Sequence, residues 1–168
     1  NGWDGVVSIQ GDPRADTDAD HIVGEAYRYR ALGPNFIAKI PATAAGLKAM
    51  EVLIADGIPV IATEIFGLAQ MVTACEMYRR ATAGGGRRPV FYVTHITGIF
   101  DEHLKEYVEQ QGITIAPHVL AVAGAAVARR QYRLMKERGY DGIILGGGAR
   151  GSHHFTDFVG GEFHITIN

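Results

Sequence analysis

Cysteine is almost absent from this chain. Cys75 stands alone among 168 residues, so an internal disulfide is impossible and the chain fits a reducing compartment. No apolar run approaches the roughly 20 residues of a bilayer-spanning helix, and no charged-then-apolar segment opens the chain, so the expected location is the cytoplasm. An excess of one charge is also missing. The 16 basic and 18 acidic residues leave a net charge of −2, with Arg and Lys scattered rather than gathered in a stripe. Nucleic acid and membrane are therefore not expected partners. Disordered tracts are lacking too: at 47% hydrophobic and 20% charged residues, 1–168 reads as one domain with a sizeable core. The expected substrate is a small molecule.

What is present is a regular alternation of short apolar runs with longer amphipathic ones, the pattern of repeated βα units on a parallel sheet. Strands are predicted over Gly5 to Gln10, Asn35 to Ile40, Pro59 to Thr63, Val90 to Ile96, Gly142 to Gly148 and Phe163 to Ile167. Helices are predicted from about Asp18 to Leu32, Ala44 to Asp56, Gly67 to Thr82, Asp101 to Gln111 and Val119 to Arg138, with a short one near Thr156 to Val159. Thr17 can cap the first helix, and Gly33, Gly57, Gly112 and Gly139 stand where left-handed helix ends are wanted. Six strands fall short of the eight of a closed parallel barrel. The chain also starts at Asn1 without a methionine. Both features lead to the expectation of a fragment, with an open doubly wound sheet as the alternative.

In parallel sheets chemistry gathers at the C-terminal ends of strands, and those ends are polar here. They carry Ser8 and Gln10, then Lys39, then Thr63 and Glu64, then Thr94, His95 and Thr97, then Arg150, with Asn168 after the sixth strand. Lys39 stands out because Asn35 to Thr43 otherwise reads as a buried strand. Burial disfavours a charged amine, and an uncharged one can attack a ketone or aldehyde to form a Schiff base. The alternative is a lysine that snorkels or pairs with a carboxylate. The two glycine runs differ in polarity. Gly84-Gly85-Gly86 leaves a helix and enters a strand, which makes it a connector, whereas Gly146-Gly147-Gly148 leaves a strand on the active face. There, backbone N–H groups and the Arg150 fork could receive an anion.

The segment Ala38-Lys39-Ile40-Pro41-Ala42-Thr43-Ala44-Ala45-Gly46-Leu47 resembles the Schiff-base lysine signature of the transaldolase and fructose-6-phosphate aldolase family. Gly57 to Gln70 resembles that family's next strand and helix start, and Val7 to Pro13 its preceding strand. The resemblance implies a parallel (β/α)8 TIM barrel, of which this chain covers about six strands, and a class I aldol mechanism without metal or other cofactor. It implies that Lys39 forms the Schiff base and that Thr63 helps position the catalytic water. Gln10 stands where transaldolases proper carry glutamate and the aldolase branch glutamine, and a glutamine can orient water but not take its proton. The family's acid/base aspartate belongs to a strand before Asn1.

His95 falls near the aldolase branch's tyrosine, as either a proton-transfer group or a histidine bonded into the barrel wall. Gly98 and Gly148 replace an arginine and a serine of the phosphate site, leaving Arg150. The substrate implied is a small sugar or sugar phosphate, at a site formed by Lys39, Gln10, Thr63 and His95 with Ser8, Gly148 and Arg150 around the substrate. Competing readings are an inert barrel that binds a sugar phosphate or serves as an assembly subunit, and metal-assisted hydrolysis using His95, His118, His153 or His154. For the last, no carboxylate stands at a ligand spacing, and adjacent His153 and His154 would point apart on a strand. Assembly into a homo-oligomer is left open.

Overall fold

A computed structural model describes residues 5–167, so Asn168 lies outside the described residues. The strands β1 (Val7–Gln10), β2 (Phe36–Pro41), β3 (Val60–Ile65), β4 (Phe91–Ile96), β5 (Ile143–Gly147) and β6 (Phe163–Ile165) are all parallel and pair in chain order. The helices are α1 (Ala19–Leu32), α2 (Ala44–Ala55), α3 (Leu68–Ala81), α4 (Thr97–Gln110), α5 (Pro117–Leu120), α6 (Ala123–Glu137) and α7 (His153–Thr156). A doubly wound sheet reverses its strand order at a switch point. This sheet never does, which excludes the open-sheet alternative.

Alternation along each strand divides the sheet into a helix-facing and a concave side. Ala38, Ile40, Val60, Ala62, Phe91, Val93 and Ile144 pack with Ile22, Met50, Leu53, Met71 and Met77 of the helices in the main core. On the other side the sheet curls: Ser8 on β1 shares one cavity with His164 on β6, with Ile61, Tyr92 and Leu145 between them. The six strands thus form part of a (β/α)8 barrel with α1, α2, α3 and α6 packed on its outer side. Cys75 lies on the buried face of α3, where burial pushes its thiol up to about 12 and keeps it from thiolate chemistry.

Local chemistry accounts for most element ends. Thr43 caps α2 by accepting the Gly46 N–H at 3.0 Å. Asp18, rather than Thr17, caps α1 through the His21 N–H, because the first helical residue is Ala19. Gly57, Gly112 and Gly139 adopt φ of 78°, 63° and 60° as expected of left-handed ends, whereas Gly33 is extended at φ 160°. The helix expected to begin at Asp101 begins at Thr97, directly off β4, with the Thr97 hydroxyl donating to Gly147 O at 3.1 Å. The one expected over Val119 to Arg138 is two, broken at Ala121 and Val122. The short final helix occupies His153–Thr156 rather than Thr156 to Val159.

One irregularity positions the site. Ala62 pairs with Val93 and Ile65 with His95, so Thr63 and Glu64 together oppose Thr94. Ala62 and Ile65 both face the helix layer, and the two residues between them therefore fill the concave-side place that one residue fills in an unbroken strand. Glu64 bears the strain with φ 60°, the one positive φ at a non-glycine among the described residues. Gln70 clamps this bulge, donating to Glu64 O at 3.3 Å and accepting from the N–H groups of Phe66 and Gly67. Glu64→Gly is expected to raise the free energy of unfolding by about 1 kcal/mol by removing that strain, read from the urea midpoint at constant m-value.

Candidate active site

Lys39 sits between Ala38 and Ile40, which are 5% and 2% exposed in the helix-facing core, so its side chain belongs to the concave side. It lines a cavity of about 280 Å³ together with Ser8, Thr94, Gly148, Arg150 and Thr166. The floor is the C-terminal ends of the strands, the face on which barrels of this class place chemistry. Gln10 pairs directly with Lys39 across β1 and β2, and Thr63 pairs with Pro41 on the other flank. From strand geometry, Thr63 stands about 5 Å across and about 7 Å along the sheet from Lys39.

The hydroxyls of Thr63 and Thr94 add a second feature. The residues are 1% and 2% exposed, and neither Oγ1 has a hydrogen-bond partner in the protein. Buried hydroxyls are almost always partnered. Two orphans opposite each other at neighbouring strand ends are available to a water or a substrate hydroxyl. Of the residues named from the sequence, Ser8, Lys39, Gly148 and Arg150 thus line one cavity, and Gln10 and Thr63 flank the lysine in register.

His95 does not join them. It alternates with Thr94 and Ile96, which line the cavity, and its ring lies wholly buried on the helix side. Its Nε2 donates to Gly124 O at 3.1 Å, and its Nδ1 accepts from Gln131 Nε2 at 3.2 Å. Burial lowers its pKa from 6.5 to about 4. Of the two readings from sequence, the wall-bonded histidine is the one found. Gln131 also donates to Gly67 O, so His95 and Gln131 brace the turn that carries the Glu64 bulge.

Arg150 reaches the cavity, but its fork is occupied. Nε and Nη2 donate to the two carboxylate oxygens of Glu102 at 2.9 and 3.4 Å, and Nη1 donates to Gly148 O at 3.2 Å. Gly98, at the start of α4, packs so closely on that loop that a Cβ there would overlap the Gly148 carbonyl oxygen and meet Arg150 Cγ. The loop that follows the glycine run thus packs on the first turn of α4 while Gly148 and Arg150 still line the cavity.

Asp101, His153 and His154 form a cluster that spacing did not reveal, with donor atoms within 4.8 Å of one another. The two histidines lie on a short helix with ring centroids 4.1 Å apart, not on a strand where they would diverge. His154 Nδ1 accepts the Arg150 N–H at 2.9 Å, so Nε2 carries the proton and donates to Asp101 at 2.8 Å. Asp101 in turn accepts the Gly124 N–H at 2.6 Å. A metal on Nε2 would force the proton onto Nδ1, against the Arg150 N–H. Asp101 and His154 thus form a hydrogen-bonded strut joining α4, α6 and the loop after β5, while the buried Nε2 of His153 has no hydrogen-bond partner in the protein.

The sequence model of the Transaldolase/Fructose-6-phosphate aldolase family matches residues 2–168. The chain belongs to the transaldolase/fructose-6-phosphate aldolase family. Family relatives include a transaldolase of Mycobacterium leprae (strain Br4923), 31% identical over 151 residues that cover 83% of this chain and 40% of the relative. A transaldolase of Mycobacterium ulcerans is 32% identical over 81% of this chain and 39% of its own. A transaldolase of Neisseria meningitidis (strain Z2491) reaches 43% identity over a shorter stretch, 49% of this chain and 24% of its own. The chain therefore spans about two fifths of the length of the mycobacterial transaldolases. Among the described residues no helix is long and apolar enough to cross a membrane.

Proposed function

We propose that this chain carries the Schiff-base half of a transaldolase-like aldolase acting in sugar metabolism, with Lys39 as the nucleophile toward a small ketose or dihydroxyacetone-type donor. The observation that supports it best is Lys39 itself, a lysine on the concave side at the end of β2, in a cavity that also holds the buried, unpartnered Thr94 hydroxyl. The Lys39 amine adds to the donor carbonyl, and the carbinolamine loses water to give an imine. The imine then draws in the electron pair of the neighbouring C–C bond. As that bond breaks, the adjacent hydroxyl gives up its proton and becomes the aldehyde that leaves, while the donor stays on Lys39 as an enamine. Addition to an acceptor aldehyde runs these steps in reverse, and water hydrolyses the final imine.

Gln10 and Thr63, on the strands either side of Lys39, suit the holding of that water. The amide can orient it without taking its proton. His95 is on the wrong face to shuttle protons, which leaves that step to the aspartate that the family resemblance sets on a strand before Asn1. The reading is tested by borohydride treatment of the intact natural protein. Activity should be lost irreversibly only when dihydroxyacetone or a ketose is present during reduction. Equal survival with and without donor would remove Schiff-base chemistry and favour a binding barrel.

A further inference from the structure

Resting on the Lys39 reading, we infer that Gln131 and Gln70 are positioning residues of this site, fixing from the helix side the spacing of the Thr63 and Thr94 hydroxyls around the water of imine formation and hydrolysis. Both hydroxyls are buried and unpartnered, and Thr94 lines the Lys39 cavity. Between them the sheet is irregular. The β3–β4 ladder breaks after Ala62 and Val93 and resumes at Ile65 and His95, so regular pairing does not set where Thr63 stands against Thr94. Other contacts must do so.

Two glutamines supply them. Gln131 of α6 is wholly buried, and its Nε2 donates to Gly67 O at 3.3 Å and to His95 Nδ1 at 3.2 Å. The reversed amide would set oxygen against the Gly67 carbonyl, which fixes its orientation. One bond ends on the residue after Thr94, the other on the turn that closes the bulge. Gln70 of α3 works beside Thr63: Nε2 donates to Glu64 O at 3.3 Å, and Oε1 accepts from the N–H groups of Phe66 and Gly67 at 3.0 and 3.2 Å. An apolar side chain at 131 would fill the same space without the cost of burying an amide whose Oε1 has no partner. The amide adds the geometry of its two bonds. In imine hydrolysis the water oxygen becomes the carbonyl oxygen, the C–N bond breaks, and both water protons pass to the Lys39 amine. A misplacement of about 1 Å can cost such a step on the order of 100-fold.

The test follows imine formation between the intact natural protein and dihydroxyacetone, sampled in time by rapid quenching into borohydride and read as reduced adduct by mass spectrometry. Gln131→Met keeps the length of the side chain and removes both bonds. It should slow the approach to the final adduct level about tenfold or more, yet leave that level within about twofold, because a badly placed water slows formation and hydrolysis alike. A packing role alone would lower the unfolding midpoint or the adduct level and leave the rate of the folded enzyme unchanged. Thr63→Val should be slow by itself, and adding Gln131→Met should slow it no further. Gln70→Met, at a half-buried position outside the core, should slow the same approach and decides the matter if Gln131→Met does not fold. A folded glutamine variant that forms the adduct at the parental rate, or losses that multiply in the double variant, would overturn the inference while the parent's adduct still stood. A parent that forms no adduct would overturn the Lys39 reading as well.

Discussion

Replacing Lys39 by arginine is expected to lower aldol cleavage and transfer by about 10⁴-fold or more, the scale on which loss of a covalent nucleophile is felt. Arginine keeps the positive charge and most of the length. It cannot supply an uncharged amine, because its guanidinium does not deprotonate in proteins. The fold should survive, since the position faces the cavity between Ala38 and Ile40 and the core lies on their side of the strand. The measurement is steady-state cleavage together with the unfolding midpoint. A well-folded variant that retains more than about a tenth of parental activity would show that the amine at this position is not the nucleophile.

The second large effect is on stability. The His95 imidazole is buried without charge between Gly124 O and Gln131, and burial holds its pKa at about 4 against 6.5 for an exposed histidine. Below pH 6.5 the unfolded chain takes up a proton there while the folded chain does not, so unfolding gains ground as pH falls. Stability from this group is complete above about pH 6.5 and declines toward pH 4, where the folded state also protonates. The depression corresponds to roughly 3 kcal/mol lost across that window. His95→Gln can still bond to one neighbour and has no charge to gain. It should be less stable than the parent at neutral pH and lose less on acidification. Urea unfolding at a series of pH values measures this, and identical pH slopes in parent and variant would contradict the buried neutral ring.

The strands and the lysine were legible because their signals are local. Ala38 and Ile40 mark a buried face, Lys39 interrupts it on the other, and Gly46 and Thr43 start the following helix. His95 was harder. Alternation sets it opposite to Thr94, but the sequence alone does not say which of the two faces the cavity, since both neighbourhoods are apolar. Glu64 was hidden by the same periodicity: regular alternation puts it on the helix side, and the bulge shifts it by one position to the other. The Arg150 partner was hidden by distance, since Glu102 lies 48 residues away and meets it only where α4 packs on the loop after β5. Local spacing thus located the concave-side lysine and gave no sign of the carboxylate that pairs with Arg150.

Covalent bonding of the donor to Lys39 underlies the proposed chemistry. It is tested most directly by reducing the intact natural protein with borohydride in the presence of dihydroxyacetone and mapping the modified peptide by mass spectrometry. One donor-derived adduct on Lys39, with none on Lys48 of α2, Lys105 of α4 or Lys136 of α6, is the predicted result. Modification of those helix lysines with Lys39 left unlabelled would contradict it.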